Sequence, residues 1–103
     1  MSEDWLNPNA VIKAVVAVSG VSEEALLGRG ARSNVSLARK AAVHLLYTRS
    51  KMSLNSIAHM MAGRDHTSIL YLRRQALTLP PEFIRLHTDK AEQLHREEIK
   101  RIV

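Results

Sequence analysis

Residues 63–69 read Gly-Arg-Asp-His-Thr-Ser-Ile, and every side chain from Arg64 to Ser68 can donate, accept or carry charge. Three kinds of chemistry use such residues. An Asp–His pair beside a hydroxyl could activate a nucleophile. A histidine and a carboxylate could hold a metal ion. A polar helix tip could grip or read a charged polymer. The first two fit the pattern poorly. Adjacent residues on a helix project about 100° apart, so Asp65, His66 and Thr67 do not line up as a proton relay, and no base or nucleophile elsewhere completes one. There is no cysteine, and the five histidines at 44, 59, 66, 87 and 95 show neither an HExxH pattern nor HxxxH spacing. No catalytic residue, metal site or cofactor is expected, and the chain is not expected to be an enzyme. His87 and His95 are expected at solvated or half-buried positions.

A polar tip needs helices to carry it, and almost the whole chain reads as helix. Asn7 before Pro8 is a start signal, with Asn at the N-cap and Pro at the first helical position. Residues 8–19 follow with Val11, Ile12, Val15, Val16 and Val18, and Gly20 stops them. Valines suit strands as well, but the length without turn signals favours helix. Ser22 with Glu23 and Glu24 opens a short second helix that ends at Gly28. Residues 28–34, GRGARSN, form a flexible basic loop. A third helix spans about 35–48 and buries Ala38, Ala41, Ala42, Leu45 and Leu46, with Arg39, Lys40 and Arg49 pointing elsewhere. Ser53 caps a fourth, with Leu54, Ile57, Ala58 and Met61 as its apolar stripe. Asp65 caps a fifth, from His66 to about Leu77, with Ile69, Leu70, Leu72 and Leu77 available to pack. Pro81 opens a sixth over roughly 81–102, with Ile84, Ala91, Leu94 and Ile102 inward. The expected fold class is all-α, a compact bundle of about six helices in a single domain over 1–103, of which 1–7 are an N-terminal extension. Aromatic residues make up only 4%, so the core must be aliphatic. Trp5 and Phe83 are expected to staple the termini onto it.

Net charge is +5, and it is unevenly distributed. Between Ala25 and Arg64 there is no Asp or Glu, whereas Arg29, Arg32, Arg39, Lys40, Arg49, Lys51 and Arg64 all fall there. Through Pro81 only Asp65 opposes nine cations. A middle that excludes carboxylates is the footprint of a polyanion. The termini hold the other acids, and the last helix reads as a mixed-charge solvent face, or else a dimer surface. No run approaches the roughly 18 apolar residues of a membrane span. The N-terminus lacks a basic-then-apolar signal. A cytoplasmic protein with no membrane partner is expected.

The tip and the charge meet at residues 53–76. Two helices separated by a three-residue, Gly-containing turn, SLNSIAHMMA–GRD–HTSILYLRRQA, are the signal of a helix-turn-helix. In that motif the second helix enters the major groove and its N-terminal residues reach base edges. Here these are Asp65, His66, Thr67 and Ser68. Arg73 and Arg74, farther along, are placed to reach phosphate.

These residues resemble a known family. GRDHTSI is similar to the Gly-Gly-Arg-Asp-His-Thr-Thr-Val signature of the C-terminal DNA-binding domain of the bacterial replication initiator DnaA. ARKAAVHLLY (38–47) resembles that family's Pro-Arg-Gln helix, and SLNSIAHMMAG (53–63) its Ser-Leu-x-x-Ile-Gly-x-x-Phe-Gly-Gly segment. The likeness covers about residues 8–100. It implies a Trp-repressor-like helical fold that recognises a short asymmetric box in double-stranded DNA. Asp65, His66, Thr67 and Ser68 would contact bases and nearby phosphates, and Leu54 a thymine methyl. Arg39 and Lys40 fall at phosphate-contact positions, Ser50 and Lys51 at backbone-contact positions. Arg64 and Arg73 join the phosphate set. The departures are specific. Where the family sends an arginine into the minor groove this chain has Ala31, so Arg29 or Arg32 would have to replace it. Ala62 stands for the first Gly of the pair, Asn55 for a Pro, and Ser68 for the second Thr. The chain contains no GxxxxGK[ST] phosphate loop. The chain is either an excised domain or a standalone protein, and the distinct MSEDW start and the altered loop favour the second: a DNA-binding regulator of transcription or replication initiation, without ATPase chemistry. It would act as monomer or dimer, with double-stranded DNA as partner and the initiator or transcription machinery as further candidates. Two other readings stay open: a helical protein-interaction adaptor with vestigial DNA binding, and a non-specific nucleoid protein.

Overall fold

The computed structural model describes residues 5–30 and 32–102. Six α-helices follow in order: α1 (Pro8–Ser19), α2 (Glu23–Leu27), α3 (Ser33–Thr48), α4 (Leu54–Met60), α5 (His66–Ala76) and α6 (Pro81–Ile102). No strand forms among the described residues. The all-helical expectation holds, and the boundaries follow local side-chain chemistry. The Asn7 side chain accepts from the Asn9 N–H, Ser22 from Ala25, Ser53 from Ser56 and Asp65 from Thr67, each satisfying a donor that the first helical turn would leave orphaned. The exception is α3. It begins at Ser33, two residues before the expected start, with Arg32 at the N-cap and no side-chain cap bond. The valine-rich α1 is a helix, ended by Gly20 at φ 76° with its N–H returned to the Val16 carbonyl.

Tertiary packing centres on α3, which touches all five other helices; α1 and α6 lie along one another, and α4 packs on α5. The core is aliphatic, as the composition requires: Val11, Val15, Leu26, Val43, Leu45, Leu46, Ile57, Met61 and Ile69 are essentially sealed from solvent. Burial of such side chains contributes roughly 1.5–3 kcal/mol each. Two expectations need correction. His87 is fully buried, not solvated or half-buried. Its ring lies 4.5 Å from Phe83, and its Nδ1 is 2.7 Å from the Phe83 carbonyl one turn earlier, which gives the buried imidazole a polar partner. Leu77 is 66% exposed, because it is the C-cap one residue beyond the buried Ala76 that ends α5. Trp5 and Phe83 are both only partly exposed.

The α4–α5 connection sets the angle of the helix-turn-helix. Ala62 (φ 61°) and Gly63 (φ 66°) are consecutive left-handed residues, and the Arg64 N–H then donates back to the Ala58 and Met61 carbonyls. Glycine adopts that conformation freely, whereas a Cβ there costs about 1–2 kcal/mol. The turn is therefore strained at one position. Ala62→Gly is expected to raise stability by about 0.5–1 kcal/mol, the relief of strain exceeding the added freedom of the unfolded chain. A denaturant midpoint that falls instead would show that Ala62 is not strained.

Candidate nucleic-acid interface

The tip of α5 is built from one anchor and four outward residues. Ile69 is fully buried and pins the first turn to the core. Asp65, His66, Thr67 and Ser68, one helical turn, are all exposed. Asp65 holds them in place: its side chain accepts from the Thr67 N–H at 3.1 Å, and its backbone carbonyl accepts from Ser68 and Ile69. The His66 ring lies against the same carboxylate, Nδ1 to Oδ1 3.4 Å, with both side chains mostly in solvent. The arrangement offers donors, acceptors and a methyl outward. Among the described residues no group of three His, Asp or Glu side chains is placed to hold a metal ion.

Two grooves flank the tip. One, towards α4, is lined by Asn55, Ala58, His59, Gly63, Arg64 and His66. The other, towards the start of α3, is lined by Ser36, Arg39, Arg64, Thr67, Ser68, Tyr71 and Leu72. Tyr71 and His59 were missed by the motif reading. Tyr71 is 61% exposed and stands three and four residues after Ser68 and Thr67, so the i, i+3, i+4 rule would have placed it on their face. Leu54 is half-buried and packs against the core from the first turn of α4.

Arg39 is not where a phosphate contact must be. It is only 3% exposed. Its Nε donates to the Leu26 carbonyl (2.9 Å), Nη1 to Gly30 (2.7 Å), and Nη2 to Ala25 (2.9 Å) and Gly28 (3.0 Å). Ala25 and Leu26 lie in the last turn of α2, where carbonyls lack helical partners. The guanidinium thus caps α2 and gathers the loop after it. Burial, and then the neighbouring Arg64 charge, lower its pKa, but a guanidinium stays protonated in proteins. Gly28 belongs to this cluster for a steric reason: a Cβ there would stand 2.8 Å from the Glu24 carbonyl oxygen.

Around that hub the basic loop and the helix-turn-helix turn are latched reciprocally. Arg64 Nη2 donates to the Gly28 carbonyl at 2.8 Å, and Arg29 Nη2 to the Ala62 carbonyl at 3.2 Å. Each arginine reaches from its own segment into the other. Arg29 stays exposed and Arg64 partly so, and Arg32 is exposed at the start of α3. The expectation for Ala31 lies outside the described residues. Lys40 is half-buried and Lys51 exposed. Arg73 rests over the Tyr47 ring, 4.2 Å from its centroid. Ser50 departs from its expected role. Its hydroxyl donates to the Leu6 carbonyl at 2.7 Å and its N–H to Leu45, which leaves no donor for a phosphate.

Removing the hub is expected to be severe. Arg39→Leu leaves several carbonyls desolvated and is expected to cost about 3 kcal/mol or more of stability, with Arg39→Lys recovering part. Denaturant midpoints measure this; a loss under about 1 kcal/mol would contradict the geometry. His44, on α3, carries a pH dependence. Burial, with the Arg73 charge adding to it, holds its imidazole below the ordinary 6.5. As pH falls through that value the unfolded chain takes up a proton that the folded protein resists, so stability falls on acidification. The decline between about pH 7.5 and 5.5 is expected to be shallower in His44→Gln. Equal slopes in the two proteins would contradict it.

Comparison with known proteins bears on this site. The family described as "Bacterial dnaA protein helix-turn-helix" matches residues 8–75. The match stops before α6, short of the 8–100 suggested by the motifs. The chromosomal replication initiator protein DnaA of Roseiflexus castenholzii is 35% identical over 66 residues, 64% of this chain and 14% of the relative. That of Thermomicrobium roseum is 38% identical over 68 residues, 66% of this chain and 15% of the relative. That of Crocosphaera subtropica is 34% identical over 71 residues, 69% of this chain and 16% of the relative. The chain thus spans only about a seventh of the length of these relatives. Its α4–turn–α5 unit, capped by Asp65 and anchored by Ile69, lies inside the matched segment but for the last residue of α5, and the chain belongs to the bacterial DnaA helix-turn-helix family.

Proposed function

We propose that the chain is a sequence-specific double-stranded DNA-binding protein that places the tip of α5 in the major groove of a DnaA-box-like site. The observation that carries this reading is the exposure of Asp65, His66, Thr67 and Ser68 as one capped helical turn, beside a basic loop latched to the same turn. The tip reads bases, with Asp accepting from the cytosine amino group, Thr offering a hydroxyl or a methyl, and His donating. Arg29, Arg32, Lys40, Lys51, Arg64 and Arg73 grip phosphates and set orientation. Tyr71, on the same face, extends the reading surface.

The biological role we infer is regulation of transcription or replication initiation by occupying sites that initiator proteins use. The relatives are named as chromosomal replication initiators, which makes competition with a full-length initiator for such a box the natural form of that regulation.

Selection of duplexes from a random pool supplies the target, and binding to it against a scrambled duplex across salt tests the reading. Affinity is expected to fall steeply with salt while a large gap between the two duplexes persists. His66→Ala and Thr67→Ala are each expected to erode discrimination by about 1–3 kcal/mol. Arg32→Ala is expected to weaken all duplexes alike and to lower the salt slope by about 1. A salt slope without the gap would favour a nucleoid-coating protein. No duplex binding would favour the adaptor reading, and a chain that leaves a full-length initiator on its box would remove the proposed role.

A further inference from the structure

Residues 5–7 precede α1 and lie outside the segment that matches the family, yet they reach the rim of the proposed interface. Leu6 is buried. Its N–H donates to the Arg49 carbonyl at 2.9 Å, and its own carbonyl accepts from the Ser50 hydroxyl at 2.7 Å. The Asn7 N–H donates to His95 Nδ1 at 3.0 Å, which ties the same strip to α6. Arg49 in turn pairs with Glu92 of α6 at 2.9 Å. The turn after α3 is therefore held from the N-terminal strip, from α6, and from α3 itself, because the Met52 N–H donates back to the Leu46 carbonyl at 3.0 Å.

At the crest of that turn stands Lys51, with a left-handed backbone at φ 55°. Its ammonium lies 4.4 Å from the centroid of the Trp5 ring. Trp5 is the only tryptophan of the chain. The negative face of an indole attracts an ammonium. An ammonium carries three donors, so a ring on one side leaves the others free for an oxyanion. A lysine stem normally loses rotamer freedom when a phosphate fixes it. Where a ring has already confined it, less is lost on binding, and affinity rises by preorganisation.

We propose that Trp5 is a positioning residue of the DNA-contacting surface, holding the Lys51 ammonium over its ring so that the turn before α4 presents a preset cation to a duplex phosphate. This rests on the DNA-binding reading above and adds a residue that the family match does not contain. Ser50 then has a defined part. It is the clasp that fastens the strip beneath Lys51, which accounts for a hydroxyl turned away from solvent chemistry at a position where a phosphate contact was expected.

The test uses the full chain and a short mixed-sequence duplex, because a phosphate contact needs no particular sequence. Equilibrium affinity is measured across salt for the unaltered protein, Lys51→Gln, Trp5→Leu, Trp5→Tyr and the Trp5→Leu/Lys51→Gln double variant, with a denaturant curve for each. Lys51→Gln is expected to lower the salt slope by about 1. Trp5→Leu is expected to weaken binding by about threefold to tenfold, and Trp5→Tyr, which keeps a π face, to restore most of that. In the Lys51→Gln background the Trp5→Leu effect is expected to vanish. Three results overturn the proposal while leaving DNA binding intact: Lys51→Gln without effect on the slope, Trp5→Leu without effect on affinity, or a Trp5→Leu loss that persists undiminished in the absence of Lys51. The last would mark Trp5 as merely structural, and a matching fall in its denaturant midpoint would show it. Absence of duplex binding by the unaltered protein would instead defeat the functional reading on which the inference stands.

Discussion

One buried guanidinium organises the part of this fold that faces outward. Arg39 projects from the central helix into a site with no carboxylate, and it is satisfied only by backbone carbonyls of α2 and the loop beyond. A desolvated cation is tolerable when its donors find oxygens, as four of the five guanidinium N–H groups do here, and the end of a helix, where carbonyls are orphaned and the dipole is negative, is where such oxygens collect. The consequence reaches beyond the cap. The loop drawn in by Arg39 is the loop whose Gly28 carbonyl receives Arg64 and whose Arg29 reaches Ala62. The core, the basic loop and the helix-turn-helix turn are thus joined through a single cluster of carbonyls.

Around that cluster the charges divide their labour. Cations close to the hub hold structure, and cations at the margin stay open to a partner. Arg39 is buried and wholly structural, Arg32 and Lys51 are exposed, and Arg29 and Arg64 stand between, each latching the other's segment while keeping some exposure. The polar tip of α5 follows a comparable logic. Asp65 serves the backbone first, as the cap that starts the helix, and what remains of its carboxylate lies beside His66. An Asp–His–hydroxyl sequence that resembles catalytic machinery on paper is, in three dimensions, a ring of outward groups around one buried isoleucine.

Much of the fold was legible in the sequence because its helices announce themselves. Asn7, Ser22, Ser53 and Asp65 each cap the helix they were expected to cap, and Ala38, Ala41, Ala42, Leu45 and Leu46 of α3 are buried as expected. The interface was legible in part. That the tip of α5 would be polar and exposed followed from its residues, but which arginines face solvent did not. Arg39 follows Ala38 and precedes Lys40 in a basic stretch, and only the closure of α2 against α3 reveals that its partners are carbonyls 9 to 14 residues away. Ser50 escaped for the same reason, its acceptor being 44 residues distant. His87 sits on a helix of mixed charge, where burial depends on which neighbouring helices pack along it. Tyr71, by contrast, was within reach of the helical spacing rule.

The central claim is that the exposed turn at Asp65–Ser68 enters a duplex while the latched basic loop grips its backbone. Amide chemical-shift mapping of the labelled protein on addition of its selected duplex tests this most directly. The account predicts that the largest changes fall at residues 65–68 and 71, with a second group at 29–32 and around 51. Perturbations confined to α6 and the outer face of α1, with the tip of α5 unmoved, would contradict it.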